Sequence, residues 1–419
     1  MVREDRWFLR HFWTLCGIML LCLSACSPFS QPSVPQTMEP TISAAKLGPT
    51  STSPPPSPSP IPANATPTLM PIAPINDDDW SRGPNTAPAT LLVYCDFQSP
   101  YCVDLAAVIL ELATIYPEDL RIIYRQYPLL TVHDKASLAG QAAESAGQQS
   151  QFWALYSLLN SNYAEWKDLD PESFLEWLLI ATKHLDLDHQ LFEEELRGGR
   201  FEESMKESFI SAYDAGINGT PFIFLNNDWF RLNPTQLNLE AALRLELLSF
   251  RMYESPPDIT IDPDAAYLVH VQLNIGEVVL QLFPKSAPMA VNSFVFLAEN
   301  GWFNGNPVHR VVPGKYVQTG DPTGTGLGGP GYFLPDEIDP DLDFSQSGVA
   351  ALTSTGPNTS GSQFFITLSP LPELNGTRTI FGRVVKGLDL LLELEVRDPL
   401  EELLTPPQAY IESIQIEVK

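Results

Sequence analysis

Apolar and polar residues alternate along the last third of the chain. Apolar side chains occupy every second position from Tyr267 to Leu273, and a second apolar run, Val278 to Phe283, follows the turn-forming residues 274–277. A period of two is typical of a strand with one buried face, so the two runs predict a hairpin. After Pro288 the apolar spacing becomes helical. A second short helix is predicted over about 387–394, and a last strand near 414–418. Many short strands with two helices indicate a mostly antiparallel β-barrel.

The middle of the chain has a different pattern. Three apolar runs, over residues 90–96, 120–127 and 222–225, are typical of buried strands. Helical spacing predicts a helix over 102–115, a long helical stretch over about 134–213 and a last helix over about 235–250. Strands that alternate with helices in this order predict an α/β domain with a helical insertion.

The first residues have the features of an export signal. Arginines at positions 3, 6 and 10 precede an apolar run, Leu15 to Leu23, that is too short to span a bilayer comfortably. The following Ser24, Ala25 and Cys26 resemble the lipobox of bacterial lipoproteins. That resemblance implies cleavage before Cys26 and a lipid on its thiol. The alternative is an ordinary secretory signal in which Cys26 is incidental.

A proline-rich segment follows the signal. Sixteen prolines lie within residues 27–89, among many Ser, Thr and Ala. Such a composition buries too little apolar surface to offset the entropy of ordering, and proline extends the chain. With 419 residues the chain has room for several domains. We therefore divide it into a signal peptide (1–25), a Pro/Ser/Thr-rich stalk (26–74), an α/β domain (75–253), a linker (254–265) and a β-barrel domain (266–419).

The charge of the chain limits its partners. It has 24 Lys and Arg against 51 Asp and Glu, a formal net charge of -27. This excludes a general nucleic-acid binder, because the phosphate backbone attracts cationic surfaces. Of five cysteines, two leave with the signal and Cys26 is the proposed lipid site. Only Cys95 and Cys102 remain in the folded sequence, enough for one disulfide at most.

The α/β domain resembles the thioredoxin fold of the DsbA type. The likeness rests on Asp96–Cys102, DFQSPYC, and on Gly219–Pro221, GTP, directly before an apolar strand. It implies that Pro221 is a cis-proline that faces an active site. Where the family has its nucleophilic cysteine, this chain has Ser99, which forms no thiolate for disulfide exchange. The motif is thus a degenerate redox motif, in which Cys102 matches the resolving cysteine.

The state of the two remaining cysteines is left open by the sequence. We expect Cys95 and Cys102 to be reduced, with Cys95 as a small buried apolar residue. The alternative is a disulfide between them, which requires Cα atoms within about 7 Å.

The barrel domain resembles the cyclophilins over its whole length. The residues that carry this likeness are His309–Gly314 (HRVVPG), Gln318–Gly326 (QTGDPTGTG) and Gly356–Ile366 (GPNTSGSQFFI). The resemblance implies peptidyl-prolyl cis-trans isomerase activity on proline-containing polypeptides, without a cofactor or a metal ion. It also implies roles for seven residues. The catalytic residues would be Arg310 and Gln318, and the substrate-binding residues would be Tyr316, Gln363, Phe365, Leu374 and Arg378.

The rim of this matched site departs from the family pattern. Lys315 and Tyr316 stand where Phe and Met are usual, and Arg378 stands where His or Tyr is usual. Glu373 replaces a common Trp or His. The pair at 353–354, Thr and Ser, replaces an Ala-Asn pair that binds the peptide backbone. Activity could therefore be weakened, or directed to acidic residues near the proline.

Two further stretches resemble ligand-binding motifs but lack residues that those motifs require. The glycines at 324–329 are not followed by the Gly-Lys-Ser/Thr of a phosphate-binding loop. Asp339, Asp341 and Asp343 alternate like the start of a calcium loop, but Phe344 and Ala350 occupy its Gly and Glu positions.

The leading hypothesis is an isomerase that assists folding of exported proteins at the cell membrane. The alternatives are a non-catalytic proline-peptide binding module or holdase, and a thiol-disulfide oxidoreductase.

Overall fold

The computed structural model of the chain describes residues 72–419. These belong to one compact unit. The signal peptide, Cys26 and the stalk up to residue 71 lie outside the described residues. Within residues 72–419, no helix is long and apolar enough to cross a membrane.

The thioredoxin-like domain contains a five-stranded sheet with helices on both faces. Its elements in chain order are β1 (Trp80–Arg82), β2 (Ala89–Cys95), α1 (Pro100–Ile115), β3 (Leu120–Gln126), α2 (Ala136–Gln148), α3 (Phe152–Ser161), α4 (Tyr163–Trp166), α5 (Pro171–Ala181), α6 (His189–Gly198), α7 (Glu202–Asp214), β4 (Phe222–Leu225), β5 (Asp228–Trp229) and α8 (Gln236–Ser249). The expected α/β domain with a helical insertion is confirmed.

The order of its strands is β1-β3-β2-β4-β5. Strands β2 and β3 are parallel neighbours, and α1 lies in the connection between them. The other pairs of this sheet are antiparallel. One face of β2 packs against α1, α2, α3 and α8, and the opposite face packs, together with the same face of β3 and β4, against α7. This two-sided burial explains why β2 has no alternation of polar residues. Strands β1 and β5, only three and two residues long, were not predicted because they are too short to have a period.

Local chemistry explains where the helices begin. Pro100 starts α1, where its missing N–H would have no helical partner. Asp170 and Asp188 accept hydrogen bonds from backbone N–H groups in the first turns of α5 and α6, and Thr235 does so for α8. The long helical stretch predicted from the sequence is a series of separate helices, α2 to α7, of which α5 and α6 have side-chain caps.

The cyclophilin-like domain is built on eight antiparallel strands. Its elements are β6 (Tyr267–Leu273), β7 (Gly276–Leu282), α9 (Pro288–Glu299), β8 (Arg310–Val312), β9 (Tyr316–Thr319), β10 (Val349–Leu352), β11 (Phe364–Thr367), β12 (Ile380–Lys386), α10 (Leu388–Leu392), α11 (Pro399–Glu402) and β13 (Ile411–Val418). The predicted hairpin is β6–β7, and the two predicted helices are α9 and α10. The one-turn helix α11 was not predicted.

The eight strands form a single sheet in the order β13-β6-β7-β12-β10-β11-β9-β8. The sheet curls into a half-barrel around a core that includes Phe294, Phe303, Phe364 and Phe381. Near the two edge strands, an isolated antiparallel bridge joins Pro307 to Tyr410. The expected antiparallel cyclophilin fold is confirmed.

The end of α8 packs into the core of the cyclophilin-like domain. Leu248 is 3% exposed and belongs to that core rather than to the core of its own domain. The ring of Tyr253 lies 5.1 Å from that of Phe296 and 6.2 Å from that of Trp302. The two domains therefore share buried apolar surface, which the sequence did not indicate.

The linker contains no helix or strand. Its backbone is held by the buried Asn292 of α9, whose amide oxygen accepts from the N–H of Thr260 at 2.8 Å. The Asn292 Nδ2 donates to the carbonyl of Asp258 at 3.0 Å. These bonds give an irregular segment a fixed course over the surface of α9.

Candidate functional site

Three predicted site residues form one row across neighbouring strands. In β8 and β9, Arg310 lies opposite Gln318, and Gln318 lies opposite Phe365 of β11. The row continues to Ala351 of β10. Residues that are paired in this way present their side chains on the same face of a sheet. The fold thus places a guanidinium, an amide and an aromatic ring side by side.

The aromatic ring of Phe365 belongs to an apolar cluster outside the half-barrel core. The side chain is 5% exposed and packs with Phe344, Leu371 and Ile380. The ring of Tyr316 meets it edge-on at 5.6 Å. Tyr316 and Leu374 are partly buried against the same cluster. The structure therefore brings together three of the predicted substrate-binding residues around an apolar floor.

The amide of Gln363 connects the row to a neighbouring loop. Gln318 Nε2 donates to Gln363 Oε1 at 2.8 Å. Gln363 Nε2 in turn donates to the carbonyl oxygens of Gly326 at 3.0 Å and Gly328 at 2.8 Å. Two carbonyl acceptors fix which end of the Gln363 amide is the nitrogen. The orientation of Gln318 therefore depends on the position of this loop.

The guanidinium of Arg310 is only lightly held. Its side chain is 34% exposed, and its nearest carboxylate is that of Asp398, with Nη2 3.9 Å from Oδ1. Among the described residues the buried Nε of Arg310 has no hydrogen-bond partner. Arg310 therefore keeps unused donors beside the apolar floor. Asp398, which also caps α11 through the N–H of Leu400, was missed by the sequence because it lies far along the chain.

The rim carries the charges that the sequence indicated. Lys315, directly before β9, and Glu373, in a short helical turn, are exposed. Arg378 is half-buried, and its Nη1 donates to the carbonyl of Thr377 at 2.8 Å. No ion pair within residues 72–419 includes Lys315 or Arg378. Both cations are therefore available to an acidic ligand.

A cleft of about 370 Å³ adjoins Gln363. Thr353 and Ser354 lie on one side of it and residues 326–333 on the other. The exposed apolar side chains at its mouth are those of Met252, Leu327 and Phe333. Met252 comes from the thioredoxin-like domain, so no motif of the cyclophilin-like sequence could have indicated it.

His309, the neighbour of Arg310 in sequence, is buried and 1% exposed. Neither ring nitrogen has a hydrogen-bond partner among the described side chains. Burial lowers the pKa of His309 to about 4, so the ring is neutral at physiological pH. A neutral imidazole leaves Arg310 as the cation at this end of the row.

The degenerate redox motif is assembled at one end of the thioredoxin-like sheet. Ser99 is 2% exposed at the start of α1. The bond between Thr220 and Pro221 is cis. Pairing of Tyr94 with Phe222 places Pro221 at the same sheet end as Cys95. The predicted cis-proline is thus present, next to a motif without the attacking thiol.

The expectation that Cys95 and Cys102 are reduced is contradicted by the structure. They form a disulfide, with Cα atoms 5.9 Å apart. A tight turn, in which Ser99 N–H donates to the Asp96 carbonyl at 3.0 Å, brings the end of β2 against the first turn of α1. The two cysteines are 2% and 4% exposed. The turn thus brings together Cys95 and Cys102, which are seven positions apart in the sequence.

Asp96 of this motif is also buried, at 1% exposed, and its carboxylate is fully engaged. It accepts from the N–H of Gln98 and of Leu129 at 2.8 Å each, and lies 2.8 Å from His133 Nδ1. The hydrogen bond that the His133 ring donates to the Asp96 carboxylate raises the pKa of His133. The polar groups of the motif therefore satisfy one another, which fits a structural role.

Two family models match the chain. Residues 268–415 match the one described as cyclophilin type peptidyl-prolyl cis-trans isomerase/CLD, and residues 76–244 match the one described as thioredoxin. Both ranges agree with the two folds described above.

Curated relatives are similar to about a third of the chain. Peptidyl-prolyl cis-trans isomerase-like 1 of Mus musculus and of Homo sapiens are each 42% identical over 139 residues, which is 32% of this chain and 81% of theirs. Peptidyl-prolyl cis-trans isomerase ppi1 of Schizosaccharomyces pombe is 44% identical over 125 residues, 29% of this chain and 81% of its own.

Two solved structures of a Cryptosporidium parvum cyclophilin type isomerase are also similar. They are 34% and 35% identical, and each covers 36% of this chain and 98% of its own, with a TM-score of 0.33. One of them was determined in the presence of the dipeptide Ala-Pro.

Proposed function

We propose that the chain, which belongs to the cyclophilin-type peptidyl-prolyl cis-trans isomerase family, acts on exported polypeptides at a membrane surface. The chain is a peptidyl-prolyl cis-trans isomerase. What we propose is the role of each site residue, the class of polypeptide on which the chain acts and its location.

The chemistry needs a placed cation and a fixed proline. Rotation about an X-Pro bond has a barrier of about 18–20 kcal/mol because amide resonance is lost. In the transition state the prolyl nitrogen becomes pyramidal and regains its lone pair. A donor near that nitrogen stabilises the transition state more than either ground state. No proton is transferred and no covalent intermediate forms.

The observation that carries the proposal is the row Arg310, Gln318, Phe365. The proline ring would lie on Phe365, between Tyr316 and Leu374. Arg310, which has unused donors, would donate to the prolyl nitrogen from the neighbouring strand. A guanidinium stays charged and offers a rigid fork of donors. Gln318 and Gln363 would hold the arginine and the peptide backbone.

The test is an isomerisation assay on the full chain with a proline-containing peptide. Losing a donor of this kind typically costs roughly 2.7–4 kcal/mol, or 10²–10³ in rate. Arg310→Ala should therefore lower kcat by about that factor and leave the fold intact. Arg383→Ala is the matched control, since Arg383 is exposed on β12 and, among residues 72–419, its guanidinium bonds only the side chain of Gln281. Equal rates for Arg310→Ala and wild type would refute the assigned mechanism.

The same assay distinguishes an isomerase from the alternative, a non-catalytic binding module. The charged rim and the Thr353–Ser354 pair are the features that favour it. A wild-type chain that binds proline peptides without accelerating their rotation would establish a binding module.

The proposed location rests on the sequence of the first residues. A signal, a lipobox cysteine and a proline-rich stalk together support an extracytoplasmic lipoprotein anchored at Cys26. Cys26→Ser should block signal processing or release the protein from the membrane fraction. Unchanged processing and fractionation of that variant would contradict the proposed anchor.

A further inference from the structure

The loop that holds Gln363 is itself held by one buried carboxylate. This glycine-rich loop, residues 323–331, leaves the end of β9 and returns along the cleft. Asp321, 0% exposed, accepts from the N–H groups of Thr323, Gly326 and Gly328 at 2.7 to 3.0 Å. The loop is therefore fixed on one side by its own domain.

The other side of the glycine-rich loop contacts the thioredoxin-like domain at three points. Arg244 Nη1 donates to the carbonyl of Thr323 at 3.1 Å. The N–H of Tyr253 donates to the carbonyl of Pro330 at 2.8 Å. A Cβ on Gly328 would lie 2.9 Å from Leu248 Cδ2 and 2.1 Å from Asp321 Oδ1. At Gly328 the loop backbone thus fits between Leu248 of α8 and the buried carboxylate with no room for a side chain.

Arg244 is oriented before it reaches the loop. Its Nη2 lies 2.5 Å from Oε1 of Glu240, one turn earlier on α8, and its Nε lies 3.2 Å from the hydroxyl of Tyr116. Glu240 is 3% exposed. A guanidinium locked by two partners presents its third edge in one direction, toward the Thr323 carbonyl.

We infer that the thioredoxin-like domain holds the glycine-rich loop where the isomerase site requires it, and that Arg244 is a positioning residue for X-Pro rotation. The connection runs from Arg244 through the loop carbonyls to the amide of Gln363, and from Gln363 to Gln318 beside Arg310. The thioredoxin-like domain, which lacks the attacking thiol, thus supports the isomerase site of the cyclophilin-like domain. This inference rests on the proposed function.

The test compares three arginine variants in the full chain. Arg244→Met removes the donor and keeps the apolar stem, whereas Arg244→Lys keeps a charged donor on α8. Loss of one such hydrogen bond should lower kcat at saturating peptide by about 3- to 10-fold, with KM changed less than about twofold. Arg244→Lys should recover most of the loss. Arg383→Met, remote from the loop, should equal wild type.

A second readout observes the coupling directly. The side-chain amide protons of Gln363, identified by their loss in Gln363→Glu, should shift in the NMR spectrum of Arg244→Met and remain in place in Arg383→Met. A merely structural role for Arg244 would lower the melting temperature without moving kcat or these resonances.

Each outcome decides one claim. Unchanged kcat and unchanged Gln363 resonances in folded Arg244→Met would overturn the inference. If Arg244→Met does not fold, Leu248→Val, which trims the contact with Gly328, provides the same comparison. If the wild-type chain does not accelerate rotation, the proposed function fails. The resonances would still decide whether Arg244 positions Gln363.

Discussion

Phe364 and Phe365 are adjacent in β11 and have opposite environments. Phe364 is 1% exposed in the half-barrel core, where its ring meets those of Phe294 and Phe381, and Phe365 belongs to the outer cluster with Phe344 and Tyr316. The alternation of a strand therefore divides two neighbouring rings between the half-barrel core and the proposed floor of the substrate site.

This division predicts two different phenotypes. Phe365→Leu should raise KM for a proline peptide, because the floor under the proline ring becomes smaller, while stability falls by about 1 kcal/mol. Phe364→Leu should destabilise the chain without raising KM. Steady-state kinetics and urea unfolding of both variants give the comparison. A rise in KM in both variants, or in neither, would contradict the assignment of Phe365 as the floor.

The rim cations, exposed Lys315 and half-buried Arg378, predict a preference among substrates. Peptides with Asp or Glu close to the proline should react with a higher kcat/KM than neutral peptides, because within residues 72–419 neither cation forms an ion pair. The preference should fade as ionic strength rises, since exposed charges are screened. The double variant Lys315→Gln, Arg378→Gln should lose it and keep its activity on neutral peptides. A preference that persists at high salt would point to another cause.

The buried disulfide predicts stability without redox activity. Cross-linking two residues this close in sequence stabilises a fold by roughly 2–3 kcal/mol. Cys102→Ala should lower the free energy of unfolding by about that amount, and the native chain should resist glutathione because both sulfurs are buried. Insulin reduction should be absent in wild type. Native-state exchange of the Cys95–Cys102 bond with glutathione would show that the motif has kept a redox function.

The burial of His309 predicts a loss of stability in mild acid. Its pKa is lowered to about 4 in the folded chain, against an ordinary value of about 6.5. Between these values the unfolded chain binds a proton that the folded chain does not. The free energy of unfolding should therefore fall by up to about 3 kcal/mol as pH decreases from 6.5 toward 4. His309→Gln should flatten this part of the curve, as seen by denaturant unfolding at each pH.

His133 contributes with the opposite sign. Its pKa is raised by the hydrogen bond to Asp96, so its contribution is complete below pH 6.5 and is lost as pH rises through the raised pKa. The difference between wild type and His309→Gln at each pH isolates the histidine beside Arg310.

The sequence motifs place Arg310, Gln318 and Phe365 in one candidate site, and the strand pairing shows them side by side. Their catalytic and binding roles stay predictions. Arg310 and Gln318 pair across the short turn between β8 and β9, whereas Phe365 is placed by its own motif and pairs with Gln318 over a long sequence distance. Period alone was also enough to place β6, β7 and α9. Apart from the pairing of β9 with β11, these features depend on residues that are near one another in the chain.

What the sequence could not provide depends on long-range contacts. Asp398, Met252 and Arg244 reach the site from distant segments, and no pattern at those positions marks them. The Cys95–Cys102 pair was predicted wrongly because the turn at Asp96 decides the distance between two residues that a strand and a helix would otherwise separate. Propensity describes each element, whereas the packing between elements decides these contacts.

The burial of Leu248 in the core of the second domain sets an order of assembly. A chain that emerges from its amino terminus completes α8 before the glycine-rich loop and its strands are made. If the first domain folds as it is made, we expect Leu248 and Tyr253 to form an apolar surface against which the later segment packs. We expect the nascent isomerase to acquire its shape on a surface already built by its own amino-terminal half, much as a client would on a chaperone.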